Sequence, residues 1–281
     1  MKDSTFCKNQ HINCGGKLLD LSTPKVMAIV NITPDSFYDG GKNSDNKSIL
    51  QACEKHLKEG ASILDIGGQS TRPGAEQINA ETELSRVLPA IQLITKEFPE
   101  SILSIDTYWA KVAKEAIDAG AKIINDISAG SLDIEMLNTV LELNVPYIAS
   151  HLKGDLKNMQ TTPEYQDITT EVYQSLSKIK STLFQKGFND LLIDPGFGFG
   201  KTTAHNFELL NNLEHFKSLG LPILVGLSRK SMIWKTLNST AKEALNGTTT
   251  LNTIALLKGA NILRVHDTKE AIQVIELVQQ L

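Results

Sequence analysis

The stretch "LLIDPGFGFGKTT", residues 191–203, carries the pattern that decides the fold. It opens with a short apolar run of the kind found in buried strands, and the run ends in Asp194 before a glycine-rich loop. The closing "GKT" matches the second half of a phosphate loop, G-x-x-x-x-G-K-[ST]. The first glycine of that motif would stand at Pro195, which has no N–H to direct at a phosphate. The stretch therefore predicts a buried strand that delivers an aspartate, with Lys201 as a surface charge where the next helix begins.

The same arrangement of an apolar run with a polar end occurs eight times along the chain. The runs are "VMAIVNI", "SILDIGG", "SILSIDT", "KIINDIS", "PYIASHL", "LLIDPG", "PILVGLS" and "NILRVHD". Between them lie stretches with the 3.6-residue period of helices, such as 45–59 and a second from about Trp109 to Ala119. Eight β/α units predict a TIM (β/α)8 barrel. An open doubly wound sheet is the alternative, because periodicity does not reveal closure.

The chain of 281 residues is long enough for one such barrel, and no linker-like tract divides it. We therefore predict a single domain over 1–281, with residues 1–24 as an N-terminal extension. Within the extension, "CGGKLLDLS" predicts a small β-hairpin that turns at Gly15-Gly16 and covers the bottom of the barrel.

A polar residue closes each of the eight runs, and in a barrel these ends converge on one mouth, where active sites are built. These residues are Asn31, Asp65, Asp106, Asn125, His151, Asp194, Ser228 and His266. A single aspartate at a strand end commonly caps the next helix, but eight polar ends favour a shared site. Asp65 is the expected exception, because two glycines separate it from the polar residues of the loop that follows.

Two long loops rich in Gly, Pro and Ser follow the first two runs, and loops of this kind are commonly functional. They carry Asp35 in one and Thr71 and Arg72 in the other. Cations collect at the last two runs, as Arg229, Lys230, Arg264 and His266. Acidic and amide groups thus face basic groups, which suits a substrate with a hydrogen-bonding heterocycle at one end and phosphate at the other.

Composition narrows the class of protein. A formal net charge of -4 argues against a nucleic-acid partner, and no stretch approaches the roughly 18 apolar residues of a membrane span. The first ten residues lack the apolar core of a signal peptide, and we expect a cytoplasmic protein. Cys53 falls on an apolar helical stripe and is expected in the core. Cys7, His11 and Cys14 lack the usual spacing of a zinc site, and we expect no metal there.

Seven motifs in order give the chain a specific resemblance. They are "NITPDSFYDGG", "GGQSTRPGA", "SIDT", "INDISAG", "IDPGFGFGK", "GLSRKSMI" and "ILRVHD". Together they resemble dihydropteroate synthases, folate-pathway TIM-barrel enzymes that join 6-hydroxymethyl-7,8-dihydropterin pyrophosphate to p-aminobenzoate. The resemblance implies 7,8-dihydropteroate and pyrophosphate as products, sulfonamides as competitors of p-aminobenzoate, and a homodimer.

The resemblance also assigns roles to residues of the mouth. It places the pterin ring against Asp106, Asn125, Asp194 and Lys230, whose donors and acceptors can pair with a 2-amino-4-oxo heterocycle. It places the pyrophosphate near Asn31, Arg72, Arg264 and His266, with Mg²⁺ bridging from Asn31. It places p-aminobenzoate at Ser228 and Thr71-Arg72-Pro73, with Phe37 and Phe199 as aromatic walls. Asp106, Lys230, Asp35 and Arg72 are the implied catalytic residues, which would stabilise charge as pyrophosphate departs and a pterin cation forms.

Two departures from the family pattern stand out. Gln69 replaces the usual glutamate before Ser-Thr-Arg-Pro, which puts an ion pair from that position in doubt. Leu152 and Leu156 replace the usual Met and Pro after the fifth run, where we expect pterin packing to be roughly kept. Two other functions remain as alternatives. A corrinoid-dependent methyltransferase would not need the cations of the last two runs, and a non-catalytic pterin-binding protein would tolerate loss of Asn31, Arg72 or Lys230.

Overall fold

The computed structural model describes residues 10–32, 42–69, 77–154 and 163–281. An antiparallel hairpin comes first, formed by β1 (His11–Cys14) and β2 (Lys17–Asp20). The eight strands that follow are β3 (Lys25–Asn31), β4 (Ile63–Gly67), β5 (Ile102–Asp106), β6 (Ile123–Asp126), β7 (Tyr147–Ser150), β8 (Leu191–Asp194), β9 (Leu224–Val225) and β10 (Ile262–Val265).

Helices separate these strands along the chain. They are α1 (Lys42–Lys58), α2 (Ala80–Glu97), α3 (Ala110–Asp118), α4 (Met136–Leu143), α5 (Ile168–Gln185), α6 (Thr203–Asn211), α7 (Ser231–Thr236), α8 (Leu245–Leu257) and α9 (Thr268–Val278), with 3-10 turns at Leu213–Leu219 and Ala241–Glu243. The predicted helices 45–59 and Trp109 to Ala119 correspond to α1 and α3, and Trp109 is the residue just before α3.

The eight strands form one parallel sheet in the order β8-β7-β6-β5-β4-β3-β10-β9. A single parallel bridge between Ile193 and Ile223 joins the two outer strands, so the sheet is a nearly closed barrel. The predicted TIM barrel is confirmed and the open doubly wound alternative is wrong. In an open sheet of that kind the two outer strands would have no contact with each other.

The barrel interior begins with a ring to which every strand contributes one buried apolar side chain. We call this set the lower ring: Met27, Ile63, Ile102, Ile123, Ile148, Leu192, Leu224 and Ile262. Ile12, Cys14 and Leu21 of the N-terminal segment pack against it. The hairpin therefore closes the bottom of the barrel as predicted, with its turn at Gly15 and Gly16 between β1 and β2.

A larger apolar cluster lies between the outside of the barrel and the helices. Cys53 is fully buried in this cluster, where Ile49 and Leu57 of α1 also pack, the two residues with which it forms the predicted apolar stripe. Because the lower ring and this outer cluster cover both faces of each strand, the strands read as continuous apolar runs until they reach the mouth.

Candidate active site

Polar side chains replace apolar ones two residues beyond the lower ring. Side chains two apart on a strand share a face, so the next inward-facing residues form a second layer. On six strands that layer is polar, with Asp65, Ser104, Asn125, Ser150, Asp194 and Arg264. The barrel interior thus changes from apolar at the lower ring to polar two residues further along these six strands. We call the space lined by these polar residues the polar chamber.

An ion-pair network crosses this chamber from β10 to β4 and β5. The guanidinium of Arg264 donates from Nε to Asp65 Oδ2 at 2.6 Å and from a terminal nitrogen to Asp106 Oδ2 at 2.5 Å. Asn125 Nδ2 donates to the same Asp65 oxygen at 3.0 Å. Four strands are therefore tied together by one arginine and one amide around two carboxylates.

The electrostatics of this network favour a permanent charge on the arginine. Burial alone lowers the pKa of Arg264, but Asp106 and Asp65 outweigh it, and the pKa lies above its ordinary value. Burial raises the pKa of Asp106 to about 7, although the neighbouring Arg264 opposes that shift. Asp106 is thus a carboxyl group that changes charge near neutral pH while its cationic partner does not.

Asp194 is held by its own loop and by the neighbouring strand. Its Oδ1 accepts the backbone N–H of Gly196 at 2.8 Å, and its Oδ2 accepts the Ser150 hydroxyl at 3.1 Å. Each carboxylate oxygen has two lone pairs, so Asp194 keeps acceptor capacity for a ligand. It is 5% exposed, which places that capacity at the inner edge of the mouth.

Lys230 reaches over the same loop from the end of β9. Its ammonium donates to the carbonyl of Phe197 and lies 4.6 Å from the centroid of the Phe199 ring. Burial lowers the pKa of Lys230 to about 8, with Asp194 acting in the opposite direction. The lysine therefore carries its charge at neutral pH but loses it in mildly alkaline solution.

Ser228 and His266 form a pair at the ends of β9 and β10. The Ser228 hydroxyl lies 3.0 Å from His266 Nδ1, and the backbone N–H of His266 donates to Ser228 Oγ at 3.2 Å. These two contacts join the segments that follow β9 and β10, on the side of the mouth away from Asp106 and Asn125.

The strand ends leave a gap between Asn31 and Asp106, at the position of Gly67. The strand register aligns Asn31 with Gly67, Gly67 with Asp106, and Asp106 with Asn125. A Cβ at Gly67 would stand 3.5 Å from Asp106 Oδ2 and 3.6 Å from Asn31 Oδ1. Because glycine leaves that position empty, the amide and the carboxylate face a common space.

The sequence model of the family described as pterin binding enzyme matches residues 27–266, from the first barrel strand to the last. The dihydropteroate synthase of Escherichia coli strain K12 is 42% identical over 266 residues, which cover 94% of each chain. The chain belongs to the dihydropteroate synthase family.

Solved structures of the family have the same fold. The Yersinia pestis dihydropteroate synthase in complex with a sulfonamide drug has a TM-score of 0.90 at 40% identity, with 96% of this chain and 98% of that one covered. The Xanthomonas albilineans dihydropteroate synthase with 4-aminobenzoic acid has a TM-score of 0.90 at 38% identity, with 97% and 98% covered. As a member of this family the protein is a transferase.

Most of the site residues inferred from the resemblance to dihydropteroate synthases lie together. Those in the described part of the chain converge on the mouth: Asn31, Asp106, Asn125, Asp194, Phe199, Ser228, Lys230, Arg264 and His266. The other named residues lie outside the described residues: Asp35, Phe37, Thr71, Arg72, Pro73 and Leu156. Cys7 does so as well, and within the described ranges no group of three or more His, Cys, Asp or Glu is arranged to hold a metal.

Three expectations for charged residues were wrong. Asp65 is not an exception among the polar residues that close the eight runs, because it accepts hydrogen bonds from Arg264 and Asn125 at the centre of the ion-pair network. Lys201 is not a surface charge, because it is 2% exposed. Arg229 does not join the cations of the mouth, since its guanidinium pairs with Asp267 at 2.8 and 2.9 Å. Arg229 also donates to the carbonyls of the 3-10 turn at Ala241–Glu243.

Two further buried polar residues, Glu83 and Gln69, form contacts that the sequence did not predict. Glu83, in the first turn of α2, is 1% exposed and accepts the Thr107 hydroxyl at 2.9 Å. Burial raises its pKa to about 7. Gln69 accepts the Tyr108 hydroxyl at 3.0 Å, so the residue that replaces the usual glutamate forms a neutral hydrogen bond here. A helical period marks Glu83 only as one polar residue among several, and its partner lies on another unit.

An apolar wall lines one side of the mouth. Tyr108, Ile127 and Phe199 form a small buried cluster, and Leu152 packs against it. Leu152 is one of the two residues after the fifth run that depart from the family pattern, and it keeps an apolar contact at that position.

None of the helices in the described ranges is long and apolar enough to cross a membrane.

Proposed function

We propose that the protein is a dihydropteroate synthase that joins 6-hydroxymethyl-7,8-dihydropterin pyrophosphate to p-aminobenzoate. The observation that carries the proposal is the set of Asp106, Asn125, Asp194 and Lys230, which supplies carboxylates, an amide and a cation within one buried mouth. A pterin edge presents adjacent donors and acceptors of the complementary kind. The names of the E. coli, Y. pestis and X. albilineans relatives support the same reaction.

In the proposed reaction the bond between the pterin methylene carbon and the pyrophosphate oxygen breaks first. Its electron pair leaves with pyrophosphate, and the aromatic amine then attacks the carbon, forms the new C–N bond and releases a proton. Asp106 stabilises the positive charge that develops on the pterin, because its carboxylate lies in a buried, low-dielectric site. The paired Arg264 favours the ionised form of that carboxylate and orients it.

The phosphate end of the substrate is assigned to the opposite side of the mouth. The resemblance assigns Asn31, Arg72, Arg264 and His266 to the pyrophosphate, and His266 presents a ring nitrogen on that side. Ser228, which contacts His266, is assigned to p-aminobenzoate. We infer that Asn31 holds Mg²⁺, because its amide oxygen faces the open space beside Gly67 and is a hard ligand of the kind Mg²⁺ prefers. When bound, Mg²⁺ would neutralise charge on the departing pyrophosphate.

The reaction is tested directly with purified protein, Mg²⁺, the pterin pyrophosphate and p-aminobenzoate. Pyrophosphate release should be faster when p-aminobenzoate is present, and dihydropteroate should appear by chromatography. Asp106→Ala and Lys230→Ala should each cost at least about tenfold in rate, the lower range for removal of one electrostatic contact. The exposed residues Asp118 and Lys178 supply matched controls as Asp118→Ala and Lys178→Ala. Tight pterin binding without product would instead support a binding protein.

The homodimer and the cytoplasmic location inferred from the resemblance and the composition stay predictions. Light scattering coupled to gel filtration tests the first, because a dimer doubles the 30.8 kDa mass of the chain. Fractionation of the source cells tests the second.

A further inference from the structure

The lysine that follows the glycine-rich loop is buried, although the sequence predicted it at the surface. Lys201 is 2% exposed, and its Nζ donates to the carbonyls of Gly196 at 2.8 Å, Phe199 at 3.1 Å and His151 at 3.2 Å. Nζ also lies 2.9 Å from His151 Nδ1. One side chain therefore joins two positions of its own loop to the end of β7.

The loop backbone lies directly on the backbone that follows β7. Gly196 has φ +74°, and a Cβ there would stand 2.0 Å from the His151 carbonyl oxygen. A Cβ at Gly200 would stand 2.2 Å from the carbonyl oxygen of Lys153. At such close approach neither side chains nor water fit between the two segments, yet buried carbonyls need donors. Lys201 supplies those donors from the side.

The position of this loop determines the position of several groups in the mouth. The N–H of Gly196 orients the Asp194 carboxylate, and the carbonyl of Phe197 accepts from Lys230. The Phe199 ring lies under the same ammonium. All of these groups belong to the side of the mouth assigned to the pterin, whereas Ser228 and His266 are held by a separate contact.

We infer that Lys201 is a positioning residue for the pterin half of the site, which clamps the glycine-rich loop to the end of β7 and so sets the positions of Asp194, Phe199 and Lys230. The inference rests on the proposed function for its consequence in catalysis. The clamp itself rests on the contacts of Lys201, and it is testable without substrate.

The charges around Lys201 are compatible with this role. Burial lowers the pKa of Lys201 well below its ordinary value, and the neighbouring Asp194 opposes that effect. Burial and then Lys201 lower the pKa of His151 to about 3, so the imidazole is neutral and Nδ1 can accept a hydrogen bond. In the tautomer with the His151 proton on Nε2, every atom that Nζ contacts is an acceptor, and no ion pair is required to hold the lysine in place.

The first test is amide hydrogen exchange in the ligand-free protein. Peptides that cover 195–200 should exchange slowly in the unmodified protein, because the loop is fixed despite its glycines. In Lys201→Met, which keeps the length of the side chain but has no donor, exchange there should be at least about tenfold faster. The control Lys178→Met, an exposed lysine on α5, should leave exchange unchanged. Fast exchange in the unmodified loop, or equal rates in Lys201→Met, would overturn the clamp.

The second test separates positioning from general loosening of the structure. Lys201→Met should bind 6-hydroxymethylpterin at least about tenfold more weakly, while its affinity for inorganic pyrophosphate with Mg²⁺ stays within about twofold. Equal losses for the two probes, or no loss for the pterin, would overturn the positioning role. If Lys201→Met is recovered unfolded, Lys201→Gln replaces it in both tests. If the unmodified protein binds no pterin, the proposed function fails and hydrogen exchange alone decides the clamp.

Discussion

Neutralising Asp65 should destabilise the barrel, because this carboxylate is the buried centre of the ion-pair network. Asp65 is fully buried and accepts two hydrogen bonds on Oδ2, one from Arg264 and one from Asn125. In Asp65→Asn the size of the side chain is kept but its charge is lost. The amide oxygen of asparagine can still accept from both neighbours, but it carries no full negative charge to balance the guanidinium of Arg264.

The expected cost follows from what Arg264 retains. Removal of one partner of a buried ion pair costs about 3–5 kcal/mol, because the remaining charge is left in a low-dielectric region. Arg264 keeps Asp106 at 2.5 Å, and its side chain is 17% exposed, so we expect the lower end of that range, about 3 kcal/mol. At about 2 °C per kcal/mol for a chain of this size, the midpoint of thermal unfolding should fall by about 6 °C.

The assay is thermal unfolding followed by circular dichroism, with Asp118→Asn on α3 as the matched control. Asp118 is exposed, so its neutralisation should change stability by no more than about 0.5 kcal/mol. The pterin affinity of Asp65→Asn should also fall, because the acceptor that Arg264 and Asn125 share loses its negative charge and holds both side chains less firmly. A midpoint within about 2 °C of the unmodified protein would refute the reasoning, since it would mean that the loss of a buried partner costs no more than about 1 kcal/mol.

Two further predictions concern the glycine-rich loop and the pH dependence. Gly196→Ala should lose at least about 2 kcal/mol of unfolding free energy in urea, because it combines a left-handed backbone with a contact to the His151 carbonyl. Gly187→Ala, with φ +83° and nothing within 4 Å of the added Cβ, should lose only about 1 kcal/mol, and equal losses would contradict the steric argument. The kcat/KM for the pterin pyrophosphate should rise as Asp106 ionises near pH 7 and fall as Lys230 loses its proton near pH 8. A flat profile between about pH 6 and 9 would show that neither group titrates in the free enzyme.

The barrel and its mouth were predictable because both depend on a short-range repeat. Each strand is an apolar run with a polar end, and a parallel β/α repeat brings all such ends to one side. The run "SILSIDT" shows this well. Ile102 belongs to the lower ring, Ser104 to the layer above it, and Asp106 to the ion pair with Arg264. The position of a residue along the strand therefore sets its depth in the barrel, and the alternation of side chains decides whether it points into the barrel or towards the helices.

The partners of charged residues were not predictable, because they lie on other units of the barrel. Lys201 is near Thr202, which caps α6, and this position suggests an exposed helix start. Its burial depends on the close approach of the loop to His151, 50 residues away in the chain. Arg229 likewise precedes Lys230 in sequence, yet its φ of +55° turns the two side chains to different partners. Sequence spacing does not report either contact.

The network also explains why two similar aspartates have different roles. Asp65 pairs in register with Ser104, whereas Asp106 pairs with Gly67, so Asp65 lies one layer deeper in the barrel. Asp65 is fully buried and Asp106 is 8% exposed. A ligand entering from the mouth therefore meets Asp106 first, and its path is open because Gly67 has no side chain. Because Arg264 bonds both carboxylates, we expect the deeper one to anchor the guanidinium and the shallower one to be the one that meets a substrate.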